Sequence, residues 1–363
     1  MRIIHTADIH LDSKMGKLPR EEAKRRRDEI VDTFKYMVDF ANEEAVDAIL
    51  ISGDLFDTNN VSTLYQNLVR DVIINNPAVL FFYLKGNHDN NSFLSGLDEI
   101  PENLMLFDED WTSYDLGNGV VISGIELTRN NSSSMADSLV LEMNKINIVM
   151  LHGQDTNYKS GDKAEVISIP DLRNRGIDYL ALGHVHTRKL EALDSRGKYC
   201  YPGCLEGRGF DECGEKGFML LDVDEVSGKI TPSFVPFSRR TIYEIPVDVS
   251  GVETSYDAER IIDSFLSDVD YSRDSLVRIV LVGQVSMDSD IDAGYLATHF
   301  RDAFYYVEVV DRTSFMVNYD SYEFDESLKG EFVRVVKADN ALSEEEKSLI
   351  IKTGIDLLRD RKG

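Results

Sequence analysis

Cysteine, tryptophan and long apolar runs are scarce in this sequence of 363 residues. Three cysteines and one tryptophan are present. So few cysteines in a chain of this length exclude a disulfide-stapled scaffold, and we expect a reducing, cytoplasmic setting. No run approaches the roughly 20 apolar residues that cross a bilayer, which predicts no membrane association. The first strand is followed at once by aspartate and histidine, so we expect no signal peptide.

Positive charge is also in short supply. The chain has 39 Lys and Arg against 65 Asp and Glu, a formal net charge of −26 at pH 7. An acidic protein does not attract nucleic acid through its overall charge. A polyanionic substrate would therefore need local help from metal ions, a basic patch or a partner. With 42% hydrophobic and 29% charged residues, the composition is still that of a folded protein with a large core.

The pattern of apolar residues changes along the chain. Short apolar runs alternate with amphipathic stretches over most of residues 1–240, which predicts a layered α/β fold there. Residues 241–325 follow a β-α-β-α-β order, which predicts a second, small α/β domain. Residues 326–363 are predicted to be a helical tail with a capping box at Ser343 and Glu346. Its apolar face makes it a candidate docking helix for a partner, although packing against its own domain would explain the same pattern.

Five short strings of polar residues each follow a predicted strand. Six of the seven histidines lie within the first 186 residues, and five of those six belong to these strings. The strings are Asp8-Ile9-His10, Gly53-Asp54-Leu55-Phe56-Asp57, Gly86-Asn87-His88-Asp89, Leu151-His152-Gly153 and Gly183-His184-Val185-His186.

The residue types in these strings suit a metal centre. Functional side chains in a layered α/β fold collect where strands end, and a spacing of two places both side chains on one face of an extended segment. The strings offer carboxylate, amide and imidazole donors and no thiolate. This mixture favours Mn²⁺, Fe²⁺ or Zn²⁺ over Mg²⁺ or Ca²⁺. The donors are too many for one ion, which predicts two ions about 3.5–4 Å apart that share a carboxylate.

Each string taken alone has an ordinary explanation. A single Asp-x-His or Gly-Asp at a strand end is usually structural, and His152 could be a core histidine. The strings at residues 86–89 and 183–186 are more specific, and all five in order are hard to explain structurally. Other conspicuous residues are interpreted as structural: His5 in the core, His299 on a helix surface, the three cysteines, and the basic run 24–27 as a solvated helix face.

This ordered set resembles the calcineurin-like metallophosphoesterase superfamily over residues 1 to about 210. Three stretches, Gly53–Asp57, Leu151–Gln154 and Tyr201–Phe210, look like the SbcD-type DNA repair exonucleases. Those are nuclease subunits that work with a coiled-coil ABC-type ATPase. The resemblance implies a layered β-sandwich flanked by helices, with the second small α/β domain as a cap over the active site. Cys204 departs from the family, which usually has a small Ser-like residue there.

The resemblance also implies roles for the motif residues. The two ions would share one bridging carboxylate, Asp54. The ligands would be Asp8, His10, Asp54 and His186 for the first ion, and Asp54, Asn87, His152 and His184 for the second. His88 would lie near the scissile phosphate as a general acid or transition-state stabiliser, with Asp89 as a candidate to orient it. The candidates for contacts to DNA phosphates follow the metal motifs and are Arg188, Lys189 and Arg208.

The leading functional expectation is a Mn²⁺-dependent DNA exonuclease of DNA repair, with endonuclease activity as an added option. The resemblance implies DNA, an SbcC-type ATPase and a second copy of the chain as partners. The main alternative is a phosphodiesterase or nucleotidase for small nucleotides, which the metal motifs alone allow. A third is a non-catalytic scaffold of a repair complex. The extra domain favours the nuclease because small substrates do not need it, and His88 beside a full ligand set argues against a mere scaffold.

Overall fold

The chain divides into two compact units, Met1–Arg240 and Thr241–Gly363. The structure is a computed structural model that describes residues 1–16, 18–57, 61–89, 94, 99–156, 166–316, 319–322 and 324–360. The last part of the predicted tail, residues 361–363, lies outside the described residues. The boundary between the units comes shortly after the strand that ends at Pro236.

The described part of the first unit contains two six-stranded sheets and a small strand pair. Its strands are β1 (Arg2–Thr6), β2 (Ala48–Ser52), β3 (Leu80–Leu84), β4 (Leu104–Leu106), β5 (Thr112–Gly117), β6 (Val120–Gly124), β7 (Ile146–His152), β8 (Gln154–Asp155), β9 (Val166–Ile167), β10 (Tyr179–Gly183), β11 (Lys189–Ala192), β12 (Lys198–Tyr201), β13 (Gly217–Asp224) and β14 (Lys229–Pro236). Its helices are α1 (Arg20–Glu43), α2 (Thr63–Asn75) and the short α3 (Met135–Ser138), with a 3₁₀ turn at Ile169–Leu172.

The centre of each large sheet is parallel. The first sheet has the order β14-β13-β1-β2-β3-β4 and the second β11-β12-β10-β7-β6-β5. Strands β1 to β4 run parallel to one another, as do β6, β7, β10 and β12. Helices α1 and α2 connect β1 to β2 and β2 to β3, as crossovers between parallel strands require. The layered α/β fold predicted from the sequence is confirmed.

The two sheets face each other across one apolar core. Side chains spaced two apart, such as Ala48 and Leu50 of β2, belong to this core together with Ile148 and Met150 of β7. The alternate residue Ile49 is also fully buried. Strands buried on both faces read as unbroken apolar runs, which is the pattern seen in the sequence.

The strand ends of the two sheets meet at one edge of the sandwich. The carbonyl of Ser52, at the end of β2, lies 2.9 Å from Nδ1 of His152, at the end of β7. The amide of Asp8, just beyond β1, donates to the Gly53 carbonyl at 3.1 Å. The backbone of Gly183, at the end of β10, approaches Ser52 so closely that a Cβ there would lie 1.8 Å from the Ser52 carbonyl oxygen. The fold thus gathers the polar strings at a single place.

One member of the basic run at residues 24–27 is not solvated. Arg26 is fully buried, and it donates to Glu29 at 2.5 Å and to Glu206 at 2.7 Å. Glu29 also accepts from Arg240 at 2.6 Å. The prediction of a solvated face is wrong at Arg26. Residues three or four positions apart share one face of a helix, and Arg26 shares its face with the buried residues Ala23 and Ile30.

Replacing Arg26 with alanine is expected to lower the free energy of unfolding by about 3–5 kcal/mol, because buried carboxylates lose their partner. Urea unfolding followed by circular dichroism measures the change. The matched control is Arg25→Ala, at the exposed neighbouring position, which should stay within about 0.5 kcal/mol of the wild type. A similar small loss for both variants would show that the buried network contributes little.

The second unit contains a three-stranded parallel sheet, β15-β16-β18, and a parallel pair, β17-β19. Its elements are β15 (Ile242–Asp248), α4 (Ser255–Ser267), β16 (Leu276–Val282), β17 (Gln284–Ser286), α5 (Ala293–His299), β18 (Tyr306–Asp311), β19 (Ser314–Met316), α6 (Leu328–Ala338) and α7 (Glu344–Asp360), with a 3₁₀ turn at Tyr319–Tyr322.

The tail helix α7 begins at the predicted capping box. The Ser343 amide donates to Glu346 Oε2 at 2.8 Å, and the Glu346 amide donates to Ser343 Oγ at 3.2 Å. Ile351 and Ile355 of α7 are buried in the core of the second unit. One face of the helix is therefore used within its own unit. Within the described ranges, no helix has the length and apolar composition that crossing a bilayer requires.

Candidate metal centre

Four of the predicted ligands have a left-handed backbone conformation. The φ angle is 52° at Asp8 and at His10, 51° at Asp54 and 98° at His184. Residues other than glycine adopt such angles rarely, and they retain them where surrounding contacts hold them, often at functional sites. Each of these residues follows a strand of the sandwich, so the strain is concentrated at the edge where the strand ends meet.

Two glycines make room for ligand side chains. A Cβ at Gly86 would lie 2.2 Å from Asp54 Oδ1, and one at Gly53 would lie 2.1 Å from His152 Nδ1. Neither approach is sterically possible, and Gly53 also has a φ of 90°. Glycine is therefore required in both the Gly-Asp and the Gly-Asn-His string.

Asp8, His10 and His186 form the first cluster, with ligand atoms that all lie within 4.8 Å of one another. His10 Nε2 is 3.1 Å from His186 Nε2, which in turn is 3.9 Å from Asp8 Oδ1. Both carboxylate oxygens of Asp8 accept from the amide of His184 at 3.0 Å. Asp8 is almost fully buried, so its position is fixed by the backbone that carries the next histidine motif.

Asp54, His152 and His184 form the second cluster, again with ligand atoms within 4.8 Å of one another. His152 Nε2 lies 3.5 Å from Asp54 Oδ2 and 3.2 Å from Asn87 Oδ1. The ring centroids of His152 and His184 are 5.3 Å apart. The structure thus gathers all the predicted ligands into two neighbouring clusters.

Asp54 lies between the clusters. Its Oδ2 atom is 4.0 Å from His10 Nε2 in the first cluster and 3.5 Å from His152 Nε2 in the second. Its Oδ1 atom accepts from the backbone amide of His88 at 3.0 Å. One carboxylate oxygen therefore faces both clusters, as a ligand shared by two ions must.

The hydrogen-bond pattern of the histidines fits divalent cations. His152 Nδ1 lies 2.9 Å from the Ser52 carbonyl, which can only accept, so this contact places a proton on Nδ1. In the neutral ring, which is the form that binds a metal ion, Nε2 then presents a lone pair towards the Asp54 carboxylate. His186 is held in the same way, because its Nδ1 lies 2.7 Å from Glu212 Oε1. Its Nε2 is therefore the nitrogen that faces the first cluster. Acceptor atoms thus face acceptor atoms, and a cation with nitrogen and oxygen ligands satisfies such an arrangement.

The charges of the buried groups point the same way. Burial lowers the pKa of His152, but the Asp54 carboxylate outweighs burial and raises it to about 10. Burial would raise the pKa of Asp54, but His152 and His10 outweigh it and hold the pKa below its usual value. Burial also raises the pKa of Asp8 to about 7. The site attracts positive charge, which a proton or a metal ion supplies.

His88 is exposed at the rim of the two clusters. Its Nδ1 lies 3.0 Å from the carbonyl oxygen of Asp57, and its ring centroid is 5.4 Å from that of His10. Because the carbonyl is an acceptor, Nδ1 donates to it. Nε2 is then the ring nitrogen that remains for a substrate.

Asp89 holds two loops together. Its carboxylate accepts from the amides of Leu55 at 3.2 Å, Phe56 at 2.9 Å and Gly86 at 3.0 Å. It thereby joins the loop after β2 to the loop after β3. These contacts fix the backbone near His88, whereas the His88 ring takes its orientation from the Asp57 carbonyl.

The three predicted DNA-contact residues have different surroundings. The Arg188 guanidinium lies 3.9 Å above the ring of Phe234 and is exposed. Lys189 lies 3.4 Å from Glu191. Arg208 is engaged by two carboxylates beside the first cluster. For all three residues a contact to DNA phosphates stays a prediction.

Sequence reasoning missed Glu212. This carboxylate is 5% exposed and contacts a predicted ligand, His186, that lies 26 positions earlier in the chain. It follows no strand and belongs to none of the five strings, so no local signal singles it out. Cys204 Sγ lies 3.7 Å from Glu212 Oε2 and is buried, in keeping with a structural role for that cysteine.

Three relatives illustrate what the chain is similar to. It is 29% identical over 249 residues to the uncharacterized metallophosphoesterase YhaO of Bacillus subtilis, a match that covers 64% of this chain and 60% of that protein. It is 29% identical over 204 residues to the DNA double-strand break repair protein Mre11 of Sulfurisphaera tokodaii, covering 53% and 51%. It is 24% identical over 328 residues to the Mre11 protein of Aeropyrum pernix, covering 83% and 77%.

The family assignment follows from the first unit. The chain matches about half to three fifths of the length of YhaO and of the Sulfurisphaera protein. The family model for calcineurin-like phosphoesterases matches residues 1–188, which is more than half of the chain. This region contains all the side chains of the two clusters. The chain belongs to the calcineurin-like phosphoesterase family.

Proposed function

We propose that this protein is a manganese-dependent DNA nuclease of DNA repair, an exonuclease that can also cut internally. The observation that carries the proposal is the position of Asp54, whose Oδ2 faces His10 and His152. As a member of its family the protein is a phosphoester hydrolase with a dinuclear metal centre. The DNA substrate, the identity of the metal and the role of each residue are the proposed parts.

Two ions would share Asp54 as a bridging ligand. The remaining ligands would be Asp8, His10 and His186 for one ion, and Asn87, His152 and His184 for the other. When bound, the ions activate water and neutralise charge on the phosphoryl oxygens. The mixture of imidazole and oxygen donors accepts Mn²⁺, Fe²⁺ or Zn²⁺, and Mn²⁺ is the ion that we propose.

The protein's own side chains would complete the reaction. His88, with Nδ1–H held by the Asp57 carbonyl at 3.0 Å, would in its imidazolium form present Nε2–H to the scissile phosphodiester and give that proton to the leaving oxygen. Asp89 would keep the loop of His88 in place through its three backbone contacts. The exposed Arg188 and the neighbouring Lys189 would contact DNA phosphates.

The relatives support DNA as the substrate. Two of them are named as DNA double-strand break repair proteins. The match to the Aeropyrum protein covers 83% of the chain, which is more than the 240 residues of the first unit. The match must therefore include part of the second unit. We propose that residues 241–325 of that unit are a cap that shapes DNA access.

Partners would compensate for the net charge of −26, which repels DNA. The partners that we propose are a second copy of the chain and an SbcC-type coiled-coil ABC ATPase. The proposed setting is the cytoplasm. The tail, residues 326–363, is the candidate docking element for the ATPase. Its helix α7 leaves Leu349 and Leu357 65% and 61% exposed, and such an apolar row suits a groove in a partner.

The test compares DNA with a small ester. The purified chain is incubated with an end-labelled duplex that carries a single-stranded tail, with circular single-stranded DNA, and with a chromogenic phosphodiester. Mn²⁺, Mg²⁺, Zn²⁺ or a chelator is added to each. We expect DNA cleavage with Mn²⁺ and none with the chelator, and shortening of the linear strand in steps would show exonuclease action. Cleavage of the ester with all DNA left intact would contradict the proposal and favour a small-nucleotide phosphodiesterase.

A further inference from the structure

Arg208 lies between two carboxylates that each touch a predicted metal ligand. Its Nη1 donates to Asp57 Oδ1 at 2.6 Å, and its Nη2 donates to Glu212 Oε1 at 2.7 Å. The same Asp57 oxygen is 3.3 Å from His10 Nδ1. The same Glu212 oxygen is 2.7 Å from His186 Nδ1. One guanidinium thus links the outer ring nitrogens of both histidines in the first cluster.

The two carboxylates bias how the histidines face each other, Glu212 at hydrogen-bond distance from His186 and Asp57 within ion-pair range of His10. A carboxylate beside Nδ1 favours a proton on that atom and leaves the lone pair on Nε2. The Nε2 atoms of His10 and His186 are 3.1 Å apart. If either ring took the other tautomer or flipped, an N–H group or a carbon would point into the cluster instead. The clamp formed by Arg208, Asp57 and Glu212 therefore keeps both lone pairs directed at one point.

Arg208 is built into this clamp. Its backbone amide also donates to Glu212 Oε2, at 2.7 Å, and Glu212 is 5% exposed. A guanidinium that binds two charged carboxylates would have to give them up to bind a DNA phosphate.

The second cluster is held by other groups. His152 is fixed by the Ser52 carbonyl at 2.9 Å, and Asp54 by the amide of His88 at 3.0 Å. These are backbone contacts at strand ends. They do not depend on the Arg208 side chain, so the two clusters can be perturbed separately.

We propose that Arg208 is a positioning residue for one of the two metal subsites, the one with Asp8, His10 and His186. Through Asp57 and Glu212 it fixes the tautomer and the orientation of the two histidines. The inference rests on the ligand assignment in the proposed function. This positioning role takes the place of the DNA-phosphate contact that the sequence predicts for Arg208.

The experiment measures metal binding rather than cleavage. The metal-free full chain is titrated with Mn²⁺ by calorimetry, and electron paramagnetic resonance reports spin coupling between paired ions. In Arg208→Ala we expect one site to weaken by about 10–100-fold and the other to change by less than about twofold. Spin coupling should be lost at Mn²⁺ concentrations that fill only the stronger site. A cooperative thermal transition, at a lower midpoint because buried Glu212 loses a partner, would show that the variant is folded.

Two further variants make the result specific. Arg208→Lys should be intermediate, because one ammonium group can replace only part of the planar guanidinium fork, and it provides the test if Arg208→Ala folds poorly. Arg173→Ala, at an exposed position of the same unit, is the matched control, and it should bind both ions as the wild type does.

Several outcomes would overturn the inference. One is an Arg208→Ala protein that binds two ions like the wild type, and another is equal weakening of both sites. Unchanged metal binding with reduced DNA affinity would instead establish a phosphate contact. A wild-type protein that does not bind two Mn²⁺ ions would refute the proposed function itself, so the two failures are distinguishable.

Discussion

Asp54→Asn is expected to slow phosphoester hydrolysis at least about a thousandfold, equivalent to roughly 4 kcal/mol of transition-state stabilisation. An asparagine fits the space but cannot act as the anionic ligand shared by two ions. If its NH₂ group takes the place of Oδ2, it directs hydrogens at His10 and His152, which lie 4.0 Å and 3.5 Å away. If the NH₂ group takes the place of Oδ1, it meets the amide of His88, also a donor. Neither orientation provides a shared anionic ligand.

The measurement pairs the rate with the metal content. Hydrolysis of a chromogenic phosphodiester gives the rate, and metal analysis after dialysis against Mn²⁺ gives the number of bound ions, which should fall below two. Asp171→Asn is the control, since Asp171 is an exposed aspartate of the same unit. A variant that keeps both ions and the wild-type rate would show that Asp54 does not bridge the ions.

The layered fold and the gathering of the polar strings could be predicted because their signals are local. The end of β2 shows why. Ala48–Ser52 is a strand that is apolar up to Ile51 and buried on both faces, and Gly53 and Asp54 follow it directly. Since parallel strands end at the same edge of a sheet, knowing that each string follows a strand is enough to place together the strings that belong to one sheet. No long-range contact had to be known.

The charged contacts could not be predicted in the same way. Arg25 and Arg26 are the same residue type in one helix, yet only Arg26 is buried. Its partner Glu206 lies 180 positions later in the chain. Glu212 likewise reaches His186 only through the folded chain. A pattern of residue types does not contain the pairing of distant charges, so the contacts that support the predicted ligands emerge only from the structure.

The tail shows an intermediate case. The capping box at Ser343 and Glu346 predicts where α7 begins, because both partners are three residues apart. Apolar residues on several sides of the helix do not say which side packs inward. The structure buries Ile351 and Ile355 and leaves Leu349 exposed. The choice of face depends on the core of the second unit, which the tail sequence does not encode by itself.

His88→Asn is expected to slow DNA hydrolysis by about 10²–10⁴-fold through loss of a general acid. Bound Mn²⁺ should be unchanged, because the His88 ring is exposed and its hydrogen bond goes to the Asp57 carbonyl rather than to a ligand atom. Asparagine keeps a neutral N–H donor but cannot deliver a proton. The variant therefore separates protonation of the leaving oxygen from simple hydrogen bonding to the phosphate.

The leaving group decides between these two roles. A DNA 3′- or 5′-oxygen leaves as a poor alkoxide that needs a proton, whereas nitrophenolate leaves without one. If His88 is the acid, the loss in His88→Asn should be large for DNA and much smaller for a nitrophenyl ester of thymidine monophosphate. Equal losses for both substrates would show that His88 instead stabilises charge on the phosphoryl oxygens. An undiminished rate on DNA would remove His88 from the mechanism, because a metal centre without this side chain would then suffice.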